Sequence, residues 1–146
     1  MPTAPKLVAG LLLAALAFVA SEMVKPLLPS STVFGWFSVV NALIGFIIGW
    51  RQVGYGVGQG SAAAISNGLT GTVSMIVCCL FVHSVNTMVE DSLDRKFDNV
   101  FEAINSAIEN FLEYGAYLLT PTFFGLFILG AIIVGMAAEI SSNYWR

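Results

Sequence analysis

The sequence predicts an all-α membrane protein of about four transmembrane helices, with one amphipathic, acidic helix between the third and the fourth. Three observations predict it. The 146 residues are 57% hydrophobic and only 10% charged, with a mean hydropathy of +0.82, whereas soluble domains run near ~25% charged. Four apolar stretches, at about 5–24, 35–51, 61–89 and 121–140, are separated by segments rich in proline, glycine or acid. Seven of the nine acids (Glu90, Asp91, Asp94, Asp98, Glu102, Glu109, Glu113) crowd into one segment, accompanied only by Arg95 and Lys96. The net charge of −3 is therefore a local property of that segment. Residues 1–146 read as a single membrane domain whose main partner is the lipid bilayer. No basic patch is present, which excludes nucleic acid as a partner, and the chain has no room for a separate globular enzyme domain.

The first span, about 5–24, is rich in Leu and Ala, with Lys6 before it and Glu22 and Lys25 at its end. Pro26 and Pro29 stop it. A cleaved signal peptide ending at Ala20 is the rival reading. Phe18 is a poor residue three places from such a site, and Met23-Val24 carry the apolar run onward, so an uncleaved span is preferred. After a Pro/Ser turn over Leu27–Thr32, the second span runs from Gly35 to Arg51 with a tryptophan near each end. Indole suits the membrane interface, being apolar in body with one polar N–H. In a helix Trp36 and Trp50 would lie roughly 21 Å apart, a short crossing that needs snorkelling flanks or a thinned bilayer. Asn41, Gly45 and Gly49 recur every four residues on one face, where the glycines admit a close backbone and Asn41 can hydrogen-bond across.

Glycine then fills every second position of Gly54-Tyr-Gly-Val-Gly-Gln-Gly60. Neither a dinucleotide fingerprint nor the Lys-Ser/Thr of a phosphate loop is present, so this reads as a flexible connection. The third span, about 61–89, is longer than a bilayer requires and must tilt, protrude or bend. Gly60, Ala64, Gly68 and Thr72 form a small-residue stripe suited to close helix contact. Over about 91–115 the apolar residues Leu93, Phe97, Val100, Phe101, Ile104, Ile108, Phe111 and Leu112 fall at helical spacing, with the acids opposite. Such a helix lies on the membrane surface or docks on the bundle. Anionic cytoplasmic lipid would repel it, which favours the outer side. Thr120 and Pro121 open the last span, and Tyr144, Trp145 and Arg146 form a terminal anchor. With both termini cytoplasmic, Lys6, Arg51 and Arg146 lie inside and Lys25, Arg95 and Lys96 outside.

Few residues are candidates for chemistry. His83 is the single histidine, and a metal there would need Cys79 or Glu139 beside it; a hydrogen-bonded packing role is the simpler reading. Cys78 and Cys79 lie in an apolar run without a basic neighbour, which disfavours their thiolates and reads as packing. Glu22, Lys25, Arg51 and Glu139 sit at span ends, where an interfacial anchor or an ion pair suffices. Glu22 can pair with Lys25, and Glu139 can meet Arg51 or Lys6 on the inner side. No nucleophile–base set and no paired carboxylates in a cleft occur, so neither an enzyme nor a cofactor is expected.

The run Ser21-Glu22, Lys25-Pro26-Leu-Leu-Pro29, Phe34-Gly-Trp-Phe37, Val40-Asn41-Ala-Leu-Ile-Gly45 and Gly49-Trp-Arg51, followed by Gly68-Leu-Thr70 and Leu80-Phe-Val-His83-Ser84, resembles the TrgA family. These are small integral membrane proteins, mostly of alphaproteobacteria, associated with tellurite resistance. The resemblance extends from the first residues to Tyr144-Trp-Arg146 and is strongest over Ser21–Arg51. It rests on packing and interface residues, and Cys78-Cys79 stands outside the pattern. It implies an inner-membrane location and a link to tellurium oxyanion stress, without a reaction or binding residues to carry over. The expected function is non-enzymatic, a structural or accessory role served by a homo-oligomer or a membrane-protein partner. The alternative is a small transporter or channel subunit for an oxyanion or a proton-coupled solute. An oxyanion path would want Arg or Lys, or helix N-termini, near mid-membrane, and every Lys and Arg here is at a span end or in the acidic segment.

Overall fold

The computed structural model describes residues 3–30 and 34–145; Arg146 of the terminal anchor and Thr32 of the first turn lie outside them. Five α-helices account for most of the chain, and no strand occurs among the described residues. Helix α1 (Ala4–Val24) has Pro5 in its first turn, where a missing N–H costs nothing. It tightens into a 3₁₀ turn over Lys25–Leu27. The chain then leaves the helix at Leu28 (φ −83°, ψ 155°), the extended backbone that a following proline, Pro29, imposes.

Helix α2 (Phe37–Ile48) begins later than the apolar run does, because Phe34–Trp36 are spent on a turn in which Gly35 takes φ +36°. It ends in a π turn, Gly49–Val53, closed by the Gly54 N–H on the Gly49 carbonyl at 2.8 Å. Helix α3 (Ser61–Leu93) has 33 residues, about 50 Å of helix against a ~30 Å hydrocarbon core. Helix α5 (Pro121–Tyr144) closes the bundle. Three helices, α1 with its 3₁₀ turn, α3 and α5, are long and apolar enough to cross a membrane, while Phe37–Val53 is apolar but shorter.

The acidic amphipathic segment is divided differently from the expectation of one helix over about 91–115. Residues 91–93 belong to α3, a turn follows with Arg95 at φ +55°, and helix α4 runs from Val100 to Leu118. Asn99 caps α4: its Oδ1 accepts the Glu102 N–H at 3.0 Å, and the Glu102 carboxylate accepts the Asp98 N–H at 2.9 Å. This reciprocal cap, Asn-x-x-Glu, starts a helix where the apolar spacing runs on unbroken. The C-terminal half of α4 docks on α3 through Tyr114, whose hydroxyl donates to Thr87 Oγ1 at 3.0 Å, and through Gly115 beside Leu80. Tyr117 and Leu118 pack on Ala20, Val24 and Phe123, whereas Val100, Phe101, Ile104, Ile108 and Leu112 face outward, Phe101 at 80% exposure and Leu112 at 65%.

Packing is by backbone approach. Gly45 of α2 and Gly49 of the π turn lie on the Leu13 and Ala9 carbonyls of α1, and Gly68 of α3 and Gly135 of α5 lie on the Ala131 and Ala64 carbonyls of each other's helix. The core between them is Ala9, Leu13, Leu16, Ala17, Val53, Met75, Val134 and Ala138. Beyond this narrow core the helices show large apolar side chains outward, such as Leu11, Phe81, Leu129 and Ile133. Exposed apolar surface on that scale belongs against lipid or protein.

Candidate functional site: a polar chain beside a cavity

Three helices contribute one hydrogen-bonded chain. Ser21 of α1 donates its hydroxyl to the Ala17 carbonyl at 2.7 Å, so its oxygen can only accept from Asn41 of α2, whose Nδ2 lies at 2.8 Å. That orientation turns Asn41 Oδ1 toward His83 of α3, and His83 Nε2 donates to it at 2.6 Å. The direction of every proton is thereby fixed, and His83 carries its hydrogen on Nε2. The imidazole lies over the Phe37 ring at 4.2 Å between centroids. Ser21 and Asn41 are buried. Replacing Asn41 and His83 by alanine, singly and together, is expected to show a coupling of about 1 kcal/mol in a double-mutant unfolding cycle, the scale of interhelical hydrogen bonds in membranes. Additive single effects would mean that the pair does not interact.

Next to this chain, Glu22 Oε1 accepts from both Lys25 Nζ and Ser38 Oγ, each at 2.6 Å. The pair ties the end of α1 to the start of α2, and Ser38 is a partner that spacing along either helix does not reveal.

At the opposite end of the bundle Glu139 is 6% exposed and meets neither Arg51 nor Lys6. Its carboxylate instead accepts the Gly58 N–H at 2.7 Å and the Gly60 N–H at 3.0 Å. Gly58 and Gly60 have φ of +88° and +93°, the left-handed backbone that turns alternate amides to one side. The segment read as a flexible connection is thus a carboxylate cradle, filled by the chain's own glutamate. Asn67 Nδ2 closes its other end on the Gly56 carbonyl at 2.6 Å. Lys6 stacks its ammonium over the Tyr55 ring at 3.5 Å, and Arg51 is exposed without an ion pair among the described residues.

The predicted packing residues are distributed as follows. Gly45 and Gly49 face α1, Ala64 and Gly68 face α5, Gly60 serves the cradle, and Thr72 is buried with an unpartnered Oγ1. Cys78 is exposed and Cys79 half-buried, both with free thiols. Among the described residues no three of His, Cys, Asp and Glu gather as a metal site.

Beside His83 a cavity of about 360 Å³ opens between α1, α3, α4, α5 and the start of α2. Its floor is Met75, Ile76 and Phe127, its middle Asn41 and His83, and its mouth Glu90, Asp91 and Tyr114. Comparison with protein-family models, with curated proteins and with solved structures finds no match to this chain.

Proposed function

We propose that the chain is a non-enzymatic, multi-pass protein of the bacterial inner membrane with an accessory role in tellurium oxyanion tolerance, as its resemblance to the TrgA family implies. In this reading α1, α2, most of α3 and α5 are four spans with both termini cytoplasmic, and α4 lies at the outer face. The observation that carries the reading is where the resembling residues fall. Ser21, Glu22, Asn41, Gly45, Gly49 and His83 all join helices to one another, and Lys25 holds the Glu22 carboxylate. Residues spent on holding an α1–α2–α3 unit together support a scaffold or partner-serving role rather than catalysis.

An oxyanion path has less support. No Lys or Arg lines the cavity, and Glu90 and Asp91 at its mouth repel anions. A deletion strain of the native host grown in tellurite tests the proposal, with tellurium accumulation followed in parallel. Sensitivity with unchanged early uptake is expected. Unchanged tolerance would remove the tellurite link, and raised early uptake would replace the accessory role with exclusion or export.

A further inference from the structure

The cavity beside His83 has a chemical gradient along its length. Met75 at the floor and Asp91 at the mouth are sixteen residues apart on α3, so the slot extends over roughly 24 Å at ~1.5 Å per residue. Its lower part is hydrocarbon, with Ala17, Met75, Ile76 and Phe127. Halfway up, Asn41 spends its amide on Ser21 and His83, and His83 Nδ1 has no partner among the described residues. At the mouth Asp91 is engaged by Lys96 Nζ at 2.6 Å, whereas the Glu90 carboxylate receives only the Asn86 amide at 2.9 Å. Lys25 is held by Glu22, and no ion pair to Glu90 occurs among the described residues. Glu90 is therefore a negative charge with no cation paired to it, in a lining that also holds Tyr114, whose hydroxyl bonds Thr87 about one turn below, and Tyr117. Aromatic rings and a carboxylate in one lining favour a cation with a weakly hydrated head.

We propose that this cavity binds an amphipathic ammonium compound, its hydrocarbon chain running down toward Met75 and its cationic head at Glu90 on the Tyr114 side. The size lies within the ordinary range of small-molecule sites. The proposal uses the membrane placement given above but does not depend on the link to tellurite, so a growth phenotype and a binding result fail separately. The same head-and-chain chemistry occurs in a free hydrophobic amine and in an amino lipid of the bilayer.

The test is equilibrium binding of radiolabelled dodecyltrimethylammonium, below its micellar concentration, to the full chain in phosphatidylcholine nanodiscs, with empty nanodiscs subtracted. Saturable binding of one molecule per chain is expected, with no competition by dodecyl sulfate. Glu90→Gln is expected to weaken it about five-fold, the scale of one partly exposed charge pair. Glu109→Gln, the same charge change on α4 away from the cavity, is expected to leave it unaltered. Cys79→Phe, which fills the slot, is expected to abolish binding in a protein whose thermal unfolding is checked separately. Weakening by added phosphatidylethanolamine would assign the site to the amino lipid, and indifference to it would assign a free amine. Non-saturable uptake equal to that of empty discs, or equal loss in Glu90→Gln and Glu109→Gln, would overturn the proposal.

Discussion

Gly68→Leu is expected to prevent α3 and α5 from docking and to lower stability by about 3 kcal/mol, the upper end of overpacking costs. Even a Cβ at this position would overlap the Ala131 carbonyl, and a Cβ at Gly135 would overlap that of Ala64. Both obstacles are backbone, so no side-chain rotation relieves them. The two glycines form one reciprocal contact, and Gly135→Leu is expected to match Gly68→Leu rather than add to it. Gly125→Leu is the control, because its Cβ would meet nothing within 4 Å. Accumulation in membranes and thermal unfolding in mild detergent read the effect. A Gly68→Leu protein as stable as Gly125→Leu would contradict the backbone contact.

Removal of the Glu139 carboxylate is the second large effect. Glu139→Ala is expected to cost about 2 kcal/mol, since two backbone N–H groups lose a charged acceptor. Glu139→Gln is expected to cost nearly as much. An amide side chain offers one oxygen to Gly58 or Gly60 and turns its own NH₂ group against the other donor. Backbone hydrogen exchange at 56–60 should rise in both variants, with exchange in α1 unchanged. A transport carboxylate behaves differently, losing flux in Glu139→Gln at normal stability. Unchanged exchange over the loop would show that Glu139 does not hold it.

The helices were legible because apolar runs and their punctuation are local properties. Pro29 ends the α1 region, glycine-rich sequence separates α2 from α3, and Thr120-Pro121 opens α5. The division of the acidic segment was obscured because Leu93, Phe97 and Val100 keep helical spacing across a turn. The deciding signal was Asn99 with Glu102, a cap readable from four residues. Polar partnerships were less visible. The Glu139 carboxylate reaches amides 79 and 81 residues away, and no periodicity relates a glutamate at a helix end to a distant glycine-alternating loop. Glycine at every second position shows only that left-handed backbone is affordable there, not what the amides bind. Likewise the Asn41, Gly45 and Gly49 stripe reveals a contact face, while its occupant, α1 of the same chain, follows from the three-dimensional packing.

The proposed topology has four crossings, rather than three with α2 lying inside the fold. Single cysteines at Ser30, Gln59 and Asp98, all exposed positions, placed in a Cys78→Ala/Cys79→Ala background and treated in intact cells with a membrane-impermeant maleimide, test it directly. Labelling is expected at Ser30 and Asp98, with Gln59 labelled only after the cells are opened. Labelling of Ser30 and Gln59 from the same side would show that α2 does not cross, and would contradict it.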